Sequence, residues 1–119
     1  MRRALLLLAF PLLLAACGGP AGPPPGSIKV TLSDFAFAPN QIQAKSGSNT
    51  FYLVNEGHTS HDFTIVKTDG SGGWVAQSEL IQPGSSSTLT VKLDSGNYPV
   101  ICSQPGHADA GMKATLTVS

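Results

Sequence analysis

The sequence predicts an all-β domain, a Greek-key sandwich of seven to eight short antiparallel strands. Three observations carry this. From Ile28 onward, apolar residues recur at every second position. Turn residues punctuate the chain at short intervals, as in Lys45-Ser46-Gly47 and Gln82-Pro83-Gly84. Nowhere after the first sixteen residues does an apolar stripe recur at helical spacing. A chain of 119 residues so patterned has room for one small domain.

The chain opens with Met1-Arg2-Arg3, a short basic segment, followed by an apolar run from Ala4 to Ala16. The run is too short to span a bilayer comfortably and reads as an export leader, residues 1–16. It ends in Leu14-Ala15-Ala16-Cys17, which resembles the lipobox of bacterial lipoproteins. That resemblance implies cleavage before Cys17 and acylation of its thiol and new amino group. Residues 17–27 form an acylated cysteine and a Gly/Pro-rich linker that cannot build a core. Ten such residues extended as polyproline II would reach roughly 30 Å, enough to let an anchored domain turn. The folded domain is therefore expected over residues 28–119.

Within it, Ile28, Val30 and Leu32 alternate with polar neighbours in a first strand. Ile42 and Ala44, then Phe51 and Leu53, continue the pattern on either side of the turn at Lys45-Ser46-Gly47. Phe63 and Ile65 alternate with Asp62 and Thr64. Thr68 to Leu80 is irregular, with Gly70, Gly72 and Gly73 ahead of Trp74, and reads as a long connection between sheets. Trp74 is expected to pack over the base of that connection. Leu89, Val91 and Leu93 follow Pro83-Gly84. Tyr98, Val100 and Cys102 share one face of the next strand, and Leu116 and Val118 one face of the last. Pro99 costs a ladder bond, tolerable near a strand start.

Between these last two strands lies Cys102-Ser103-Gln104-Pro105-Gly106-His107-Ala108-Asp109-Ala110-Gly111-Met112. It sets a thiol, an imidazole and a thioether at even intervals, four residues between each. Pro105, Gly106 and Gly111 let such a loop fold tightly around a small ion. Thiolate, imidazole and thioether together suit copper, and two histidines with one cysteine and a weak axial methionine make a blue-copper centre. Taken singly, Cys102 would be a buried structural thiol, Met112 core filling and His107 a loop residue. Within residues 28–119, however, Cys102 and Met112 are the only residues of their kind, and they bracket a histidine.

A fourth ligand must come from elsewhere, and His58 and His61 are the two histidines left. His61 directly precedes the alternating Phe63 and Ile65, so a strand ladder would hold its backbone. His58 lies in a Gly-containing turn. A metal ligand needs fixed support, which favours His61. The expected copper ligands are thus His61, Cys102, His107 and Met112. With Cys17 in the leader junction and Cys102 in the metal loop, no disulfide is expected.

Over nearly all of Ile28–Ser119 the chain resembles the small blue-copper proteins of the plastocyanin/azurin family, the cupredoxins, and in particular their bacterial auracyanin-like members. The resemblance rests on Asp34-Phe35-Ala36-Phe37-Ala38-Pro39 with Ile42 and Gly47, on Asn55, Gly57 and His61, and on Pro83-Gly84. Gly96-Asn97-Tyr98 and the Cys102–Lys113 motif complete it. It implies the same four ligands and a His107 near the surface, ringed by Pro39, Pro105, Ala108 and Ala110. In relatives an asparagine often follows the first histidine and bonds to the cysteine loop. Here Asp62 stands there, able to accept a loop N–H but not to donate an amide, and its charge would favour Cu(II).

The function expected is one-electron carriage by a mononuclear copper site, lipid-anchored at a periplasmic or other extracytoplasmic membrane face. Expected partners are redox proteins, a cytochrome or a membrane electron-transfer complex, met by a monomer. A copper storage or delivery protein is the alternative. Copper enzymes of related fold need further ions and many more histidines than the three present, so no enzyme is expected. Past the leader the chain carries five lysines against seven acids, a net charge of −2, which argues against nucleic acid.

Overall fold

The computed structural model describes residues 22–119; the leader and Cys17 lie outside the described residues. Nine strands follow one another: β1 (Ile28–Ser33), β2 (Ala36–Ala38), β3 (Gln41–Ala44), β4 (Gly47–Asn55), β5 (Thr64–Val66), β6 (Trp74–Gln77), β7 (Ser86–Leu93), β8 (Gly96–Ile101) and β9 (Lys113–Val118). They form two sheets, ordered β2-β1-β4-β7 and β3-β9-β8-β5-β6. Period-two alternation buries one face of each. Val30, Leu32, Phe51, Leu53 and Leu93 come from the first sheet, and Ile42, Ile65, Val100, Leu116 and Val118 from the second. Each large apolar side chain so buried contributes about 1.5–3 kcal/mol. Phe63, just before β5, links the two layers, its ring 5.7 Å from Phe37 and 5.1 Å from Phe51.

The sandwich departs from expectation in three ways. The described residues form nine strands rather than seven or eight, because the three-residue β2 and the four-residue β6 are too short to show alternation. The sheets are not wholly antiparallel, since β1 pairs parallel with β4 and β3 with β9. Between β1 and β4 the chain passes through the other sheet, and a strand re-entering after such an excursion can lie parallel. The stretch from Thr68 to Leu80 is also not all connection. Its second half is β6, paired with β5 through Thr64↔Gln77 and Ile65↔Ala76. Trp74 therefore stands on an edge strand and is 48% exposed, not packed over the loop's base.

Tyr98 donates its hydroxyl to the Asp94 carbonyl at 2.8 Å, bracing the turn from β7 into β8. Pro99 sits where its missing N–H costs least, because β5 pairs only with Val100 and Ile101. Three segments meet at one end of the sandwich. They are the turn from β1 into β2, the crossing from β4 to β5, and the loop joining β8 to β9.

Candidate metal centre

Cys102 follows the last residue of β8, and its N–H donates to the Met112 carbonyl at 3.2 Å. Inside the loop, His107 N–H reaches Gln104 at 3.1 Å, Ala110 N–H reaches Gly106 at 3.0 Å, and Met112 N–H reaches the His107 carbonyl at 3.1 Å. Gly106 and Gly111 have φ of 80° and 107°, backbone that other residues rarely adopt. The three sequence-spaced residues are thereby tied to one another before any metal enters. Cys102 and Met112 are fully buried, His107 half-buried.

His61 arrives from the other side. It is fully buried, and it exchanges two backbone bonds with Ile81, at 3.1 and 2.8 Å, in an isolated antiparallel bridge. The ladder that holds it is thus a bridge to Ile81, with β5 starting only at Thr64. Asn55 shapes the approach, its amide donating to Thr59 and Ile81 carbonyls and its Oδ1 accepting from Gly57 N–H. His58 stays outside, its side chain 97% exposed.

The two histidine Nδ1 atoms lie 3.1 Å apart, and Cys102 Sγ lies 3.5 Å from His107 Nδ1 and 3.9 Å from His61 Nδ1. A point equidistant from these atoms is about 2 Å from each, the bond length of a small transition-metal ion to nitrogen or sulfur. Burial pushes the Cys102 thiol up, and the nearby Asp62 charge adds to this, against backbone N–H donors that pull it down. A bound cation reverses that preference and holds the sulfur as thiolate. Two imidazole nitrogens and one thiolate sulfur, with the buried thioether residue beside them, are arranged as a copper site.

Two carboxylates surround the donors. Asp62 accepts from Ser103 N–H at 3.0 Å, Ser103 Oγ at 2.6 Å, Gln104 Nε2 at 2.9 Å and Thr64 Oγ1 at 2.7 Å. Burial raises its pKa, but these bonds outweigh the burial and hold the carboxyl below the usual range. Its own N–H points at Cys102 Sγ, 3.5 Å away. The Asp62 carboxylate therefore fastens the start of the cysteine loop to the His61 segment by accepting bonds, and its backbone N–H adds one toward the cysteine sulfur. Asp34, in the β1–β2 turn, reaches His61 Nε2 at 2.6 Å. Beside it, the Phe35 ring stands edge-on to His107 with centroids 4.7 Å apart, and is 39% exposed. Asp34 and Phe35 had no assigned role in the sequence; only the fold brings them to the site.

A family model described as a cupredoxin-like domain matches residues 4–118. Among solved structures, an auracyanin from Roseiflexus castenholzii is similar at 21% identity, with a TM-score of 0.70 over 79% of this chain and 97% of that one. Auracyanin A of Chloroflexus aurantiacus, described as a "blue" copper protein, is 20% identical, with a TM-score of 0.66 over 79% of this chain and 100% of its own. An azurin from Methylomonas sp. strain J is 19% identical, with a TM-score of 0.68 over 81% and 99%. No curated protein matches significantly. The two-sheet architecture is shared with all three structures, the family model spans almost the whole sequence, and the chain belongs to the cupredoxin-like family.

Proposed function

We propose that this protein is a one-electron carrier with a mononuclear type 1 copper site, lipid-anchored through Cys17 at an extracytoplasmic membrane face. The observation that carries the reading is the triangle of His61 Nδ1, His107 Nδ1 and Cys102 Sγ, closed from two sides of the fold. When bound, copper supplies the one-electron couple. The chain supplies the rest. Cys102 offers a thiolate, His61 and His107 the two nitrogens, and Met112 a weak axial sulfur. Because both loops are fixed by backbone bonds, the donors need not rearrange when charge changes. Burial keeps water from Cys102 and His61, while half-buried His107 packs against the exposed Phe35 ring and shares its loop with exposed Pro105 and Ala110. A small, weakly polar surface of that kind suits brief docking by a redox protein.

Absorption of the copper-loaded domain tests this. An intense visible thiolate-to-Cu(II) band with rapid, reversible reduction is expected, and Cys102→Ser should remove the band while the sandwich stays folded. Binding of Cu(I) alone with ready handover to a chelator would instead make the protein a copper store or carrier of ions. For the anchor, Cys17→Ala should release the protein from membranes with its copper spectrum unchanged; retention of the processed variant would contradict lipidation.

A further inference from the structure

We propose that Asp34 is a positioning residue for the copper ligand His61, fixing which ring nitrogen carries the proton and lowering the reduction potential of the site. This rests on the copper reading above. A histidine can give a lone pair from Nδ1 only while its proton sits on Nε2, and what bonds Nε2 decides that. Here the partner is a carboxylate oxygen 2.6 Å away. The other groups around that carboxylate include the N–H of His58 at 2.7 Å, the N–H of Thr59 at 3.3 Å and the Thr59 hydroxyl at 2.9 Å. All donate, so Asp34 is the acceptor throughout, and the proton between it and the ring belongs to Nε2. His61 Nδ1 is thereby left bare and aimed at His107 and Cys102.

A second feature shows that the contact is built into the fold. Gly57 packs against the pair so closely that a Cβ there would collide with the Asp34 carboxylate and come within 2.9 Å of His61 Nε2. The strand register prepares the approach, since parallel β1 and β4 end at Leu32↔Asn55 and Glu56 N–H bonds the Leu32 carbonyl at 2.8 Å. Two residues further along the chain from each member of that last pair, just past the strand ends, stand Asp34 and Gly57. Asp34 itself lies at the surface, its side chain 21% exposed. A negative charge bonded to the far side of a ligand ring makes that ligand more basic, and this stabilises Cu(II) over Cu(I).

The test uses Asp34→Asn, Asp34→Ala and Gly57→Ala beside the wild type. In metal-free protein at about pH 8, where free imidazole is neutral, long-range nitrogen–proton NMR should show His61 wholly as the Nε2–H form. In Asp34→Ala and Gly57→Ala it should become a mixture of tautomers. In copper-loaded protein, affinity for Cu(II) should fall about tenfold in Asp34→Ala with Cu(I) affinity little changed, raising the potential by about 59 mV. Asp34→Asn keeps an oxygen for Nε2–H but loses the charge, so it should keep the tautomer and still raise the potential. A residue that merely braces the turn at His58 and Thr59 would lower thermal stability while tautomer and potential stayed put, and that result overturns the proposal. Absence of a copper band in the wild type would sink the carrier reading, while the NMR measurement would still decide what Asp34 does to His61.

Discussion

The two histidines of the site are held in opposite ways. His61 is fully buried, clamped by two backbone bonds to Ile81, with its outer nitrogen bonded to Asp34. His107 is half-buried on a loop, and its ring packs against the exposed Phe35 ring with centroids 4.7 Å apart. One ligand is anchored to the rigid body of the domain, and the other is turned toward whatever approaches. On the function proposed above, the difference would put stability and tuning on the His61 side and exchange with a partner on the His107 side.

The largest expected effect breaks that comparison directly. Replacing either histidine by glycine should abolish the visible band, but only His107→Gly should recover it when free imidazole is added. Imidazole from solution can reach the half-buried vacancy and offer the lost nitrogen. At His61 the vacancy is closed, and emptying a buried site of that size should also cost about 2–5 kcal/mol of stability. Absorption titrations with imidazole, alongside thermal unfolding of both variants, measure this. Equal rescue of the two would mean the sites are equally open and the asymmetry has no consequence.

Met112 sharpens the picture from the loop side. It is buried, and its backbone bonds both Cys102 and His107, so exchanging its side chain should leave the other donors in place. Met112→Leu removes a weak axial donor at similar volume. Cu(II) gains more from a fourth donor than Cu(I), so the potential should rise. Met112→Gln offers a harder oxygen and the potential should fall. Each tenfold change in the redox equilibrium is about 59 mV, well within reach of voltammetry. Shifts of the same sign, or none, would reduce Met112 to a core residue beside the site.

The same asymmetry governs what could be read in the sequence. Cys102, His107 and Met112 share one loop, so their even spacing carries the chemistry in a single local pattern. His61 was legible because ordered alternation follows it at Phe63 and Ile65, although the support turned out to be a bridge to Ile81. Asp34 was not legible, because its contact with His61 spans 27 positions and depends on β1 lying parallel to β4. No local pattern encodes that pairing. Phe35 reaches His107 by the same route. For the fold, alternating strands such as β1 and β7 were visible, while β6 was hidden. Trp74-Val75-Ala76-Gln77 has no clean polar face, and its pairing with β5 decides its state. The parallel pairs were missed for a related reason, since alternation tells which face a strand buries but not which neighbour it chooses.

The smallest effect is expected at Asp62, where the two halves of the site are fastened together. The carboxylate accepts four bonds, three of them from Ser103 and Gln104 at the start of the cysteine loop. Asparagine is nearly isosteric and keeps one oxygen for Ser103 N–H, and its amide can donate to a hydroxyl. Asp62→Asn should therefore fold, lose about 1–2 kcal/mol as charge-assisted bonds become neutral ones, and raise the potential slightly by removing a negative charge. The pH dependence separates the two residues further. The folded carboxyl is held below its ordinary value, so its bonds stabilise the protein fully above about pH 3.9 and lose that contribution as the pH falls through the folded pKa. Acid unfolding of metal-free wild type should accordingly show a loss of stability over that window which Asp62→Asn lacks. Parallel acid curves for the two proteins would mean the carboxylate's charge is not what ties the cysteine loop to the His61 segment.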